Sequence, residues 1–486
     1  MCGIVGLVST SPVNQSIYDS LLLLQHRGQD STGISTYDEH STFHTVKHRG
    51  HVRESFRTRD MRTLLGNVGL GHVRYATSGS ASNEDEVQPF YVNAPYGITL
   101  VHNGNITNTR ELTKELFHVD RRHLNSSSDT EILLNVLANA LQNSLVGKEP
   151  TEDDLFQAVS TVHQRVNGTY AAIALIAGYG LLAFRDPFGI RPLVLGRRFD
   201  DNGDPEWVVA SESLVLASGG YELVRDVAPG EAIFISDSGK LFTRQCAEHP
   251  RLVPDAFEYV YLARPDSTLD GISVYQARLR MGETLAAKVR ATLDLGDIDV
   301  VMPIPDSGRP TAMELARSLD LPYREGFYKN RYVGRTFIMP GQKVRKKSVR
   351  QKLNALPEEF RGKSVLLVDD SIVRGTTSKQ IVQMARDAGA RKVIFASAAP
   401  AIRYANVYGI NMPTRGELVA ANRTEDEVAQ VIGADRLVYQ EVDAMVEAIT
   451  TGSHVTNLEL SCFTGHYTTG DVTEEYLSWI EATRES

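Results

Sequence analysis

A chain of 486 residues has room for two or three domains with their own cores, and 42% hydrophobic with 23% charged residues is the make-up of a globular protein. A formal net charge of −9 argues against nucleic acid as the main partner, no run of about 18 apolar residues offers a membrane span, and the start Met-Cys-Gly-Ile-Val-Gly-Leu-Val lacks the basic and long apolar regions of a signal peptide. Three cysteines, Cys2, Cys246 and Cys462, exclude a disulfide framework or a paired-cysteine metal site, so the chain reads as cytoplasmic, with no nucleic acid and no membrane among its partners.

Cys2 follows the initiator Met directly, and a small second side chain permits removal of Met1. A thiol of ordinary pKa about 8.5 would then stand beside an α-amine of about 8, so that one residue supplies nucleophile and base. A small buried residue opening a first strand is the bland alternative. Polar clusters follow at Gln25-His26-Arg27-Gly28-Gln29-Asp30-Ser31, Gly71-His72-Val73-Arg74-Tyr75-Ala76-Thr77, His102-Asn103-Gly104-Asn105 and Ser128-Asp129-Thr130-Glu131. Asn103 and the Gly104 amide can aim two donors at a tetrahedral oxyanion, although Asn-Gly is also the commonest hairpin turn. Arg74 suits either a bidentate pair with an amino-acid carboxylate or a surface ion pair. Asp129 suits the accompanying ammonium, or else the capping box that Ser128 and Glu131 predict for a helix bearing Ile132, Leu133, Val136, Leu137 and Leu141.

Together with Cys2 these clusters resemble the N-terminal-nucleophile glutamine amidotransferases, over roughly the first 235 residues. The resemblance implies that Cys2, Asn103 and Gly104 are catalytic and that Arg27, Arg74 and Asp129 hold glutamine. The remainder of this half alternates short strands with Gly, Pro, Asn and Asp turns, as in 171–184 and 207–211, which fits an α+β sandwich. Arg185-Asp186-Pro187-Phe188-Gly189-Ile190-Arg191-Pro192-Leu193 looks like another family motif with no derivable catalytic role. Val227-Ala228-Pro229-Gly230-Glu231 begins the exit from a domain spanning 2–235.

From 236 onward strands and helices alternate, which implies a parallel sheet. Phe257-Glu258-Tyr259-Val260-Tyr261-Leu262 opens this region, and a strand over 298–302 ends in the small-residue loop Pro303-Ile304-Pro305-Asp306-Ser307-Gly308-Arg309. Four branched apolar residues, 365–368, run into Asp369-Asp370-Ser371-Ile372-Val373-Arg374-Gly375-Thr376-Thr377-Ser378, which reads as strand, loop and helix, the helix continuing through Ile381, Met384, Ala385 and Ala388. Open parallel sheets bind ligands at that edge, where Gly375, the hydroxyls and the first helical amides form a phosphate cradle. The cradle has neither the ending of a P-loop nor the glycine spacing of a dinucleotide fold. Two adjacent carboxylates suit a sugar phosphate, holding ribose hydroxyls or a divalent metal. A strand over 392–397, a strand over 418–421 and a helix opened by the capping box Thr424-Glu425-Asp426-Glu427 read as scaffold.

This half resembles the phosphoribosyltransferases. The resemblance implies that Asp369, Asp370, Ser371, Arg374, Gly375, Thr376 and Thr377 bind phosphoribosyl pyrophosphate, with magnesium on Ser307, Asp369 and Asp370. Residues 329–352 carry nine Lys or Arg and no acid. They read either as a solvated loop or as a lid that closes on the polyphosphate through Lys329, Arg331 and Arg335. Both halves together resemble the glutamine phosphoribosylpyrophosphate amidotransferase family: an α+β N-terminal-nucleophile sandwich, then an α/β parallel-sheet phosphoribosyltransferase domain over 236–486 with a C-terminal helical tail. That family makes 5-phosphoribosylamine in the first committed step of purine synthesis, which implies glutamine and phosphoribosyl pyrophosphate as substrates, inhibition by purine nucleotides and a homo-oligomer. Some members carry an iron–sulfur cluster on four cysteines. Three of the matching positions hold Asp255, Asn406 and Glu459, leaving Cys462, so no iron–sulfur cluster is expected.

Overall fold

The computed structural model describes residues 2–75, 86–145, 149–330, 353–410, 412 and 414–485. Gly3–Val8 is buried at every position, as only a central strand covered on both faces can be. It pairs antiparallel with Val68–Arg74 on one side and Pro205–Ala210 on the other. The full sheet of seven runs Glu222–Asp226, Val194–Phe199, Pro205–Ala210, Gly3–Val8, Val68–Arg74, Ser31–Tyr37, Phe43–Arg49. A second antiparallel sheet of six runs Leu241–Gln245, Glu231–Ser236, Gly180–Arg185, Gly168–Ile176, Ile98–Ile106, Phe90–Val92. The sheets meet through Ile4, Val8, Val101, Ile173, Leu181 and Ile233. The helix Asn14–Leu23 packs through Ile17 and Leu21 in the cluster on the other face of the first sheet. Asp129–Ser144 and Glu152–Arg165 cover the second. This is the expected α+β sandwich. Its second sheet continues through Gln245, past the boundary expected at 235.

One open alternative closes and one local expectation is corrected. Asn103-Gly104 is not a turn: it lies inside the strand Ile98–Ile106, in register with Ala171 and Tyr170. Ser128 caps the helix Asp129–Ser144 through Thr130 N rather than through a capping box. The Glu131 carboxylate instead accepts from the amides of Asn125 and Ser126, tying down the loop that leads into the helix.

After Glu258–Leu262, a single helical turn, the long helix Val274–Thr292 leads into a four-stranded parallel sheet ordered Val300–Pro303, Ser364–Asp369, Lys392–Ser397, Arg436–Tyr439. Alternate side chains of Ser364–Asp369 enter two cores. Val365 and Leu367 face the helices Thr376–Asp387 and Glu425–Ile432, while Leu366 and Val368 face Val274–Thr292 and Arg309–Leu319. Burial on both faces is why this strand reads as an unbroken apolar run. The strand expected over 418–421 is not formed. Those residues make a turn whose Val419 N donates to Val373 O at 2.9 Å, and Arg436–Tyr439 fills the sheet position instead. The run is apolar because Leu418, Val419 and Ala420 are buried beneath the cradle loop, not because they are a strand. No helix among the described residues is long and apolar enough to cross a membrane.

Candidate active sites

Cys2 is held at both ends of its backbone. Its N donates to Asn103 Oδ1 at 3.0 Å, and its carbonyl accepts from Arg27 Nε at 3.1 Å. The Sγ lies 3.9 Å from Tyr75 O. Once Oδ1 is taken by Cys2, the other end of the Asn103 amide, Nδ2, is a buried donor without a hydrogen-bond partner. The neighbouring strand amides show where Gly104 N–H points. His102 N donates to Gln88 Oε1 at 2.7 Å and Ile106 N to Asp129 Oδ2 at 3.2 Å, both away from the partner strand Gly168–Ile176. The two-residue alternation of a strand turns the Gly104 amide off the same edge. Behind them sit His72 and His102, both buried, with burial pushing each imidazole below its ordinary pKa so that they are neutral.

Arg74 and Asp129 come to the same region, already engaged: the Arg74 guanidinium lies 2.6 Å from Glu86, and Asp129 accepts Ile106 N. Arg27 is placed otherwise than expected. It is wholly buried, with Nη1 at 2.5 Å from Glu212 and Nη2 at 2.7 Å from Glu258. Burial opposes its charge, yet the two carboxylates outweigh burial and raise its pKa. It braces the backbone of Cys2 instead of presenting its guanidinium to a substrate. Glu258 also binds Nη1 of Arg191 at 3.1 Å, and Arg191 pairs with Asp255. Arg185 pairs with Asp270 at 2.7 Å. The motif 185–193 is therefore a clamp between the two halves of the chain.

At the second site the carboxylates of Asp369 and Asp370 close the strand Ser364–Asp369. Asp370 is buried and accepts from Ser307 Oγ and, at 2.6 Å, from Ser371 Oγ. Burial, and for Asp369 also the adjoining charge of Asp370, pushes both carboxyls above the ordinary range. Arg278, buried nearby, offsets only part of this at Asp370, and two adjoining carboxylates at a strand end are suited to receive a divalent cation. The loop 303–308 is stitched to this strand end by Ile304 N on Val368 O at 2.8 Å. Gly375 opens the helix Thr376–Asp387 at φ 72°, a conformation that favours glycine, with Thr376 and Thr377 exposed in its first turn. Arg374 pairs with Glu417 at 3.3 Å, and Lys329 reaches Asp306 at 2.7 Å. Arg331, Arg335 and the rest of the expected lid, 331–352, lie outside the described residues.

A family model described as a glutamine amidotransferase domain matches residues 72–218, and one described as a phosphoribosyl transferase domain matches 271–406. The amidophosphoribosyltransferase of Pseudomonas aeruginosa is 57% identical over 100% of this chain and 96% of its own length. The chain belongs to the amidophosphoribosyltransferase family. The Escherichia coli amidophosphoribosyltransferase is 55% identical, with 100% and 96% covered. The solved glutamine phosphoribosylpyrophosphate amidotransferase of B. subtilis, complexed with ADP and GMP, superposes with a TM-score of 0.85 at 34% identity, covering 97% of this chain and 98% of that one.

Within this amidophosphoribosyltransferase fold, sequence reasoning missed Glu86, Glu212, Glu258 and the Arg191–Asp255 pair. None belongs to a cluster with a chemical signature of its own. Asp255, Glu459 and Cys462 are buried near one another, and a backbone bridge joins Asp255 to Glu459. Burial and the charge of Asp255 push Glu459 up to about 8. One thiol among carboxyls does not fit the four-thiolate set of an iron–sulfur cluster.

Proposed function

We propose a division of labour in which the first half releases ammonia from glutamine and the second uses it to displace pyrophosphate. As a member of its family the chain is an enzyme, a glycosyltransferase of purine biosynthesis. Its reaction takes glutamine, phosphoribosyl pyrophosphate and water to 5-phosphoribosylamine, glutamate and pyrophosphate. With Met1 removed, Cys2 N is the α-amine that takes the thiol proton and returns it to the leaving ammonia. Asn103 Oδ1 orients that amine. Asn103 Nδ2 and Gly104 N–H donate to the oxyanion that forms when Sγ attacks the glutamine amide. Arg74 receives the substrate carboxylate, Asp129 its ammonium, and Arg27 steadies Cys2 from behind.

In the second half, Gly375, Thr376, Thr377 and Ser371 cradle the 5-phosphate, with Asp369 and Asp370 on the ribose and Arg374 and Lys329 at the rim. Asp369, Asp370 and Ser307 would hold magnesium, which when bound neutralises charge on the departing pyrophosphate. Ammonia released into water is mostly ammonium and cannot attack C1, so it travels between the halves shielded from solvent. Purine nucleotides as inhibitors, a homo-oligomer and a cytoplasmic setting accord with the family, with the ADP and GMP bound to the B. subtilis relative, and with three free buried thiols.

The observation that carries this reading is the buried, unpartnered Asn103 Nδ2 beside a Cys2 whose N the same side chain holds. The test is to incubate the protein with glutamine, magnesium and phosphoribosyl pyrophosphate and measure products. Glutamate and pyrophosphate in equal amounts are expected, and glutamate without pyrophosphate would overturn the reading.

A further inference from the structure

Glu86 joins the two residues proposed to hold the ends of glutamine. One of its oxygens lies 2.6 Å from Arg74 Nη2, and the other accepts from Ser127 Oγ at 3.1 Å, two positions before Asp129. Both members of the ion pair are buried, and so are Asp129 and Glu131 in the first turn of the helix Asp129–Ser144. The charges here do not cancel. Arg74 answers Glu86, but neither Asp129 nor Glu131 has an arginine or lysine partner among the described residues. The imidazole nearest to Asp129, His102 at 3.9 Å, is held neutral by burial. A helix N-terminus adds only about half a positive charge. The amino-acid site therefore carries a surplus of negative charge before any substrate arrives.

We propose that Glu86 is a specificity-determining residue that separates glutamine from glutamate by charge. It rests on the roles proposed for Arg74, Asp129, Asn103 and Gly104. Glutamine and glutamate are nearly equal in size, so the shape of the pocket does not tell them apart. The oxyanion donors make the problem worse, because groups aimed at a negative oxygen also suit the side-chain carboxylate of the product. Glutamine arrives as a zwitterion of no net charge, its carboxylate matched by Arg74 and its ammonium by Asp129. Hydrolysis leaves glutamate, with one negative charge more, in a buried site already short of cations. At an effective dielectric of about 20, one charge several ångströms away changes binding by about tenfold or more. Glu86 thus orients Arg74 for the substrate while its own charge drives the product out.

The test measures competition against glutamine in the full-length enzyme, using glutamate and its γ-methyl ester, which keeps both α-groups and has no side-chain charge. In the unaltered enzyme glutamate should compete about tenfold or more weakly than the ester, read as apparent Ki. Glu86→Gln keeps an acceptor for Ser127 and removes the charge, so the ratio of the two Ki values should shrink by about tenfold. Glu86→Asp keeps the charge and should keep the ratio. A residue that served only packing would weaken both ligands together and leave their ratio alone. Ammonia-dependent synthesis, carried out in the other half, reports whether each variant is folded. An unchanged ratio in Glu86→Gln would overturn the proposal. So would equal competition by both ligands in the unaltered enzyme, a measurement that needs no variant to fold. Failure of the underlying assignment would appear separately, as Arg74→Ala and Asp129→Ala variants whose KM for glutamine is unaltered.

Discussion

Around Cys2 the fold supplies its own opposite charges: Arg27 faces Glu212 and Glu258, and Arg74 faces Glu86. At the strand end Ser364–Asp369 two carboxyls adjoin, and burial lifts both above their ordinary range, helped at Asp369 by the charge of Asp370. The contrast follows from what each site is proposed to do. A nucleophile must be oriented before its substrate arrives, so its neighbours are fixed by bonds formed on folding. A site for a metal-bound polyanion keeps its charge only partly balanced, here by Arg278 beside Asp370, until cation and ligand supply the rest.

The largest test of that contrast is Cys2→Ala. Glutamine-dependent synthesis should fall by about 10⁴-fold or more, with ammonia-dependent synthesis retained, as read from pyrophosphate release with each nitrogen donor. Equal loss with both donors would merge two sites held here to be separate. Asp369→Asn with Asp370→Asn should do the reverse. Synthesis should drop by about 10³-fold with either donor, since several kcal/mol of charge stabilisation are lost, while basal glutaminase persists. Next is Asn103→Ala, which removes an oxyanion donor and the acceptor of Cys2 N together. It should lower glutaminase kcat by about 10²- to 10³-fold, and a change confined to KM would reassign Asn103 to substrate binding.

Arg27→Ala sharpens the same comparison from the side of stability. It takes one cation from two buried carboxylates, leaving Glu258 with Arg191 and Glu212 with His26, at a cost of up to about 3–5 kcal/mol, so a lower Tm is the expected reading. An unchanged Tm with weakened glutamine binding would return Arg27 to the substrate-binding role first expected of it. The smallest effect is set by pH. Glu459 is raised from 4.5 to about 8, by burial and then by Asp255. A raised carboxyl contributes stability that is fully present below its unfolded pKa and lost as pH rises through the folded value. Stability should therefore decline between about pH 5 and 8, and Glu459→Gln, which cannot ionise, should flatten that slope in Tm against pH. Parallel slopes would show that this carboxyl does not hold the proton.

The sequence alone singled out Cys2, the Asn103-Gly104 pair and the run from Val365 to Thr377 as candidates, because each is a local pattern: a residue at the chain start, adjacent polar groups, an apolar strand turning acidic. It also determined the two-domain order, since alternation of strands and helices differs between the halves. It left a turn open as the alternative at Asn-Gly and read 418–421 as a strand, where local propensity gave way to a partner strand in the first case and to burial beneath a loop in the second. What only the tertiary structure decided are contacts between distant residues: Arg27 with Glu258, 231 positions apart, and Asn105 with Val407, 302 apart. No periodicity or motif encodes such pairs. They exist because a charge or amide buried by packing must find a partner wherever the fold brings one, and that place is set by the whole chain.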